Sequence, residues 1–183
     1  HLCYFTLKSL EHLLNKFGLF VFDMVKSPIN GGSIIFYAVK KPRPEKSIVK
    51  RFREVEKREG TNTLRVWKNF AQKSFDHRKQ FLALLRRLKR QNAALVGWGA
   101  SARSSTLLNF CGIDSRLIPV IVDLNELKQG LYTAGSHIVI RAPEAVMKQR
   151  PTHVVLLAWN FAKEIIAILE QRFKYRGSYV FSL

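Results

Sequence analysis

A chain of 183 residues, 47% of them hydrophobic, is long enough to bury one good core, or one core and part of another. No run of about 18 apolar residues occurs, which excludes a transmembrane helix. Cys3 and Cys111 are too few and too far apart for a disulfide framework or a zinc site, and this cysteine usage places the chain in a reducing cytoplasm. The net charge of +18 raises nucleic acid or an acidic membrane as partners, so its distribution matters. Residues 1–42 carry +3, residues 43–90 carry +11 and residues 91–183 carry +4. The excess therefore sits in the middle of the chain.

The opening His1-Leu2-Cys3-Tyr4 has neither an initiator Met nor the basic and small-residue regions of a signal peptide, and is read as the cut end of something longer. Leu7, Leu10, Leu13, Leu14 and Phe17 fall on one face at helical spacing, and Gly18 stops the helix. Residues 19–25 then read as a strand, residues 27–32 as a turn and residues 33–39 as a second strand. Helix, strand, turn and strand are too little for a core, so this segment needs a sheet to dock on. Pro42 and Pro44 mark a boundary, and residues 45–59 and 64–90 read as helices parted by Gly60-Thr61-Asn62. The second helix has an apolar stripe through Leu64, Trp67, Phe70, Phe75, Phe81 and Leu85. Its Lys- and Arg-rich faces are read as solvated rather than as a reader of nucleic acid.

From residue 93 the rhythm changes to short apolar strands at 93–97, 117–122, 137–140, 152–158 and 178–181. Helices are expected at 103–110, 143–148 and 161–173. This alternation predicts an α/β domain with a Rossmann-like, mostly parallel sheet and helices on both faces. The expected domains are therefore 1–42, a basic helical linker 43–91, and the α/β domain 92–183.

The turn after the first of these strands is the most informative local feature. Gly97 and Gly99 allow a tight turn and close approach to a ligand, and the helix behind them offers free N–H groups to a phosphate. Asp123, at the end of the next strand, stands where an acid binding a ribose would sit. A dinucleotide-binding oxidoreductase of the NAD(P) type and plain packing of a parallel sheet both remain open on this pattern. Carboxyl ends of parallel strands form ligand crevices, which gathers Asp123, Asn125, Lys128, Trp159 and Asn160 at one edge, with His137 on the loop between. Asn160 equally serves as a cap for the following helix. No metal-ligand spacing and no nucleophile motif is present.

These residues also carry a resemblance. The segments H-L-C-Y-F-T-L-K-S-L at 1–10, I-N-G-G-S at 29–33, G-W-G-A-S-A-R-S-S-T-L-L-N-F-C-G-I at 97–113, V-D-L-N-E-L-K-Q-G at 122–130, A-G-S-H-I at 134–138 and A-W-N at 158–160 recur in one order. In this the chain resembles the C-terminal portion of S-adenosylmethionine-dependent C-methyltransferases acting on nucleoside-diphosphate keto-sugars. The resemblance implies that residues 1–39 end a methyltransferase domain whose cofactor-binding half lies upstream, with zinc in a further N-terminal domain. S-adenosylmethionine would be bound there, and residues 1–183 alone would not methylate. His1 matches the histidine of the family's acid/base motif, a base suited to removing the proton next to a ketone before methyl transfer. Asn30, Gly31 and Gly32 match an active-site turn. Arg103, Lys128 and the glycine turn (Gly97, Gly99, Ala100, Ser101) are implied for the diphosphate, His137, Trp159 and Asn160 for sugar or base, and Asp123 and Asn125 as further substrate-binding residues. The implied partners are that substrate and the upstream domain, with no nucleic acid or membrane. Ser101, Ser104, Leu124 and Asn30 stand where the family carries Pro, Gly, Arg and His, departures that bear on which substrate is held.

Overall fold

A computed structural model describes residues 3–29 and 32–182, so the expectations for His1, Asn30 and Gly31 lie outside the described residues. The chain divides into two compact units, residues 1–73 and residues 74–183.

The first unit is a helix, a hairpin and a second helix: α1 (Leu7–Asn15), β1 (Phe20–Ser27), β2 (Ser33–Val39) and α2 (Ser47–Glu59). Helix α1 starts in a capping box, in which Thr6 Oγ1 accepts the Ser9 amide at 3.2 Å and Ser9 Oγ accepts the Thr6 amide at 2.9 Å. Its next two orphan donors go to α2: the buried Glu56 carboxylate accepts the amides of Leu7 at 2.7 Å and Lys8 at 3.4 Å. Arg53 bridges Glu11 and Glu45, which holds the Glu45 carboxyl below its ordinary range. The strands pair antiparallel from Phe20 opposite Val39 to Ser27 opposite Ser33, with a bulge at Phe22. Leu7, Val21, Met24 and Val49 form the core, flanked by Phe36 and Phe52. The other face of the hairpin leaves Val25, Ile35 and Tyr37 exposed.

In the second unit the latter part of α3 (Leu64–Arg90) leads into β3 (Leu95–Trp98), α4 (Ala102–Cys111), β4 (Val120–Val122), β5 (Val139–Arg141), α5 (Pro143–Met147), β6 (His153–Leu156), α6 (Ala162–Gln171) and β7 (Ser178–Phe181). All five strands are parallel, in the order β5-β4-β3-β6-β7. Alternate residues face opposite ways. Leu95, Val155 and Leu157 pack with Phe81 and Leu85 of α3 and Leu108 of α4, while Val96, Trp98, Val154 and Leu156 pack with Val146 of α5 and Ile165 and Leu169 of α6. The sheet is thus covered by helices on both faces, the expected Rossmann-like arrangement. Strand order reverses between β3 and β6, and at such a reversal the loops at the carboxyl ends part to leave a crevice.

Three elements differ from expectation. Strand β4 is shorter than 117–122 because Leu117 and Ile118 donate back to Asp114 and close a turn, and Pro119 has no amide to give a ladder. The strand expected from His137 begins at Val139, since His137 has a left-handed φ of 51°. The helix expected from 161 opens as a single 3-10 turn, Trp159–Phe161, before α6. Among the described residues no helix is long and apolar enough to cross a membrane.

Candidate functional site

The carboxyl edge of the sheet gathers the loops that follow β3, β4 and β6. Gly97 is not in the loop but inside β3. A Cβ there would stand 2.8 Å from Leu157 Cδ1 and 2.9 Å from Ile121 Cγ1, so this glycine serves packing. Gly99 is the turn residue, with φ of 99°. A Cβ there would meet Ala158 Cβ at 2.5 Å, so the loops after β3 and β6 touch at this point.

The loop beyond is held by side chains that the sequence assigns to ligand binding. Asp123 Oδ2 accepts the Ala100 amide at 2.8 Å, and its Oδ1 accepts the Asn125 amide at 2.9 Å. Lys128 Nζ donates to the Ala100 carbonyl at 2.9 Å and lies 3.4 Å from Asp123 Oδ2. Asp123 and Lys128 therefore clamp the turn from outside. The carboxylate offered to a ribose in the dinucleotide reading is occupied by backbone amides. Asn125 caps the 3-10 turn 126–128 by accepting the Leu127 amide at 3.0 Å. Ser101 caps α4 by accepting the Ser104 amide at 3.1 Å. That leaves the head of α4, at Ala102 and Arg103, facing the same edge. The Arg103 guanidinium sits 5.9 Å from the centre of the Trp159 ring, within cation–π range. Asn160 is half-buried beside it. No side chain caps α6, so the capping role open to Asn160 is not taken.

His137 is not at this edge. After Lys128 the chain runs back antiparallel to β5, with Gly130 donating to the Ile140 carbonyl and Ile140 donating to the Leu131 carbonyl. It turns at 134–137 and only then enters β5. Because β5 is parallel to the rest, its start lies at the amino edge, away from the crevice. The turn is fastened to the end of α4, where Asn109 donates to the Ala134 carbonyl at 2.9 Å. Gly135 leaves that amide its space. The A-G-S-H segment is a structural clamp, with His137 exposed against the Tyr132 ring. Gly32 belongs to the first unit's hairpin turn, with φ of 120°.

An open cleft of about 340 Å³ lies at the carboxyl edge on the α6 side. Its lining includes Gly99, Ser101, Asp123 and Lys128 from the expected set, but its walls are Trp98, Leu124, Ala158, Phe161, Ile165 and Ile168. Reading the sequence for polar groups misses these wall residues. The signal is nonetheless present: Phe161, Ile165 and Ile168 fall at helical spacing, with Ile165 in the core and Phe161 exposed. Arg103, Trp159 and Asn160 stand at the same edge outside the cleft lining.

The comparisons with known proteins agree with this architecture. Residues 28–183 match the C-methyltransferase C-terminal domain family. The C-methyltransferase NovU of Streptomyces niveus is 33% identical over 168 residues, which covers 91% of this chain and 40% of that protein. The chain thus spans well under half the length of the relative it matches, and over that span it belongs to the C-methyltransferase C-terminal domain family.

Proposed function

We propose that this chain is the substrate-holding end of an S-adenosylmethionine-dependent C-methyltransferase acting on a nucleoside-diphosphate keto-sugar. The observation that carries the reading is the open cleft beside the head of α4, at the reversal of strand order where α/β sheets bind their ligands. In this reading the diphosphate lies against Arg103 and the first amides of α4, where a guanidinium and a helix N-terminus favour negative charge. Trp159 and Asn160 flank it. In this reading residues 1–42 end the methyltransferase domain and residues 92–183 are the substrate domain; of the basic segment 43–91 between them, α2 packs into the core of the first unit and the end of α3 into that of the second.

S-adenosylmethionine is assigned to the upstream, cofactor-binding half of the methyltransferase domain, and zinc to a further N-terminal domain, an assignment that rests on the family resemblance. His1 is assigned the acid/base role, taking the proton from the carbon next to the ketone. Against the dinucleotide-binding alternative stands the role of Asp123, whose two oxygens each accept a backbone amide and hold the loop.

Calorimetry with a thymidine-diphosphate sugar tests the reading. Binding is expected, and Arg103→Ala is expected to weaken it about 10- to 100-fold, the scale of a lost charge-assisted hydrogen bond. A folded protein that takes up no nucleotide-sugar would overturn the proposal.

A further inference from the structure

The turns that precede the strands of the second unit lie at the amino edge of the sheet, the edge away from the cleft, because all five strands are parallel. Residues 89–94 lead into β3, residues 148–152 into β6 and residues 172–177 into β7, and these three strands are neighbours in the sheet. Leu95, His153 and Ser178 stand level in the register, so the turns lie side by side, about 5 Å from one to the next. They are also tied together. Thr152 Oγ1 accepts the Ala94 amide at 2.9 Å, the Thr152 amide donates to the Ala94 carbonyl at 3.0 Å, and the Ser178 amide donates to the Thr152 carbonyl at 2.9 Å.

The charge on this row is one-sided. Seven of the 16 Lys and Arg residues of the second unit lie in these turns, which hold none of its seven carboxylates. Arg172 is paired with Glu144. Lys89, Arg90, Lys148, Arg150, Lys174 and Arg176 are all exposed, and none of the six has an ion pair among the described residues. Arg150 and Lys174 each have φ of 52°, the left-handed region in which glycine is the ordinary choice after a helix. A long side chain is strained there. Helix α5 has only five residues, and so little dipole to reward a cation beyond its end. Capping does not account for Arg150, whereas an anionic partner does.

We propose that this row is a docking strip for an acidic segment of a partner polypeptide, whose carboxylates pair with the six cations. The composition of the strip decides among polyanions. None of the exposed large apolar side chains lies in the three turns, so nothing here enters a bilayer and no exposed aromatic face stacks a base. Exposed guanidinium and ammonium groups match carboxylates, and a guanidinium can hold both oxygens of one. The strip and the cleft lie at opposite edges, so an acidic partner and a ligand at the carboxyl edge can be held at once.

The test follows labelled octaglutamate by fluorescence anisotropy on the full chain, beside a thymidine octanucleotide of similar charge and phosphatidylserine vesicles. Octaglutamate is expected to bind, and to bind at least about tenfold more weakly when the salt is raised from about 0.05 to about 0.5 M. Arg150→Gly with Lys174→Gly should weaken binding about tenfold, the scale of a lost charge-assisted hydrogen bond. The same double variant should leave the thermal unfolding midpoint level or raise it, since glycine relieves the left-handed backbone. Arg65→Gln with Lys68→Gln removes equal charge from exposed positions outside the strip, and should change binding by less than about twofold. Absence of octaglutamate binding, or equal losses in the two double variants, would overturn the proposal. So would dependence of the octanucleotide or the vesicles on Arg150 and Lys174 where octaglutamate shows none, since the strip would then be a phosphate site. A lowered midpoint with unchanged octaglutamate binding would assign the two cations to the fold and overturn it as well.

Discussion

Tyr175 shows how a single buried group can be read through pH. It is 7% exposed, and its hydroxyl donates to the carbonyls of Thr152 at 3.0 Å and Ser178 at 2.9 Å, tying the turn after α6 to the strands beside it. Gly177 is there because a Cβ would strike the Tyr175 hydroxyl. Burial pushes this phenol up to about 12, whereas an unfolded tyrosine ionises near 10. Above pH 10 the unfolded chain sheds this proton and the folded chain keeps it, so the folded state binds more protons and stability falls as pH rises from about 10 to 12. Tyr175→Phe should cost about 1 kcal/mol at neutral pH, the scale of the one hydroxyl proton shared between these carbonyls (the Thr152 carbonyl keeps the Ser178 amide), and should flatten the alkaline slope. Urea midpoints between pH 8 and 11 check both; an unchanged slope would mean the hydroxyl titrates freely. Asp123 makes the same point about roles. Its type and position fit a ribose acceptor, and only the direction of its two oxygens, toward Ala100 and Asn125, makes it a loop clamp.

At the scale of elements, the junction of α1 and α2 depends on one carboxylate. Glu56 is 7% exposed and satisfies two amides at the start of α1. Negative charge at a helix N-terminus also meets the positive end of the helix dipole. Glu56→Ala should destabilise the first unit by about 1–3 kcal/mol, because the Leu7 amide is then buried without an acceptor. Glu56→Gln keeps one acceptor oxygen and should cost less. Thermal unfolding followed by helical circular dichroism would show the order, and equal losses would reject the capping role. The helices and the hairpin were legible because their apolar spacing is local. The short β4 had a local signal in Pro119, which has no amide to give a ladder, whereas the 3-10 turn that opens α6 had none in the apolar spacing.

At the scale of the whole molecule, the two units differ in how much they bury. Among the described residues the first has a core of four buried apolar side chains, while the second has a sheet covered on both faces. Opening free energy follows burial. Hydrogen exchange should therefore be slowest in β3 and β6, with Val96, Val154 and Val155 the most protected, and faster throughout β1 and β2. Protection of the hairpin equal to that of the central strands would contradict this ranking.

The sequence by itself determined the α/β rhythm and the Rossmann-like class, because strand runs, helical stripes and the G-W-G turn are properties of neighbouring residues, and its ordered segments carried the resemblance to a C-methyltransferase family. Only the tertiary structure decided which residues meet. Parallel pairing sent His137 to the amino edge, since a chain leaving β4 must travel back before β5 can begin. The contact of Gly99 with Ala158 brought two distant loops together, and Ile165 and Ile168 of α6 line the cleft while packing in the core. Such placements depend on strand order and crossings, and no local spacing encodes them.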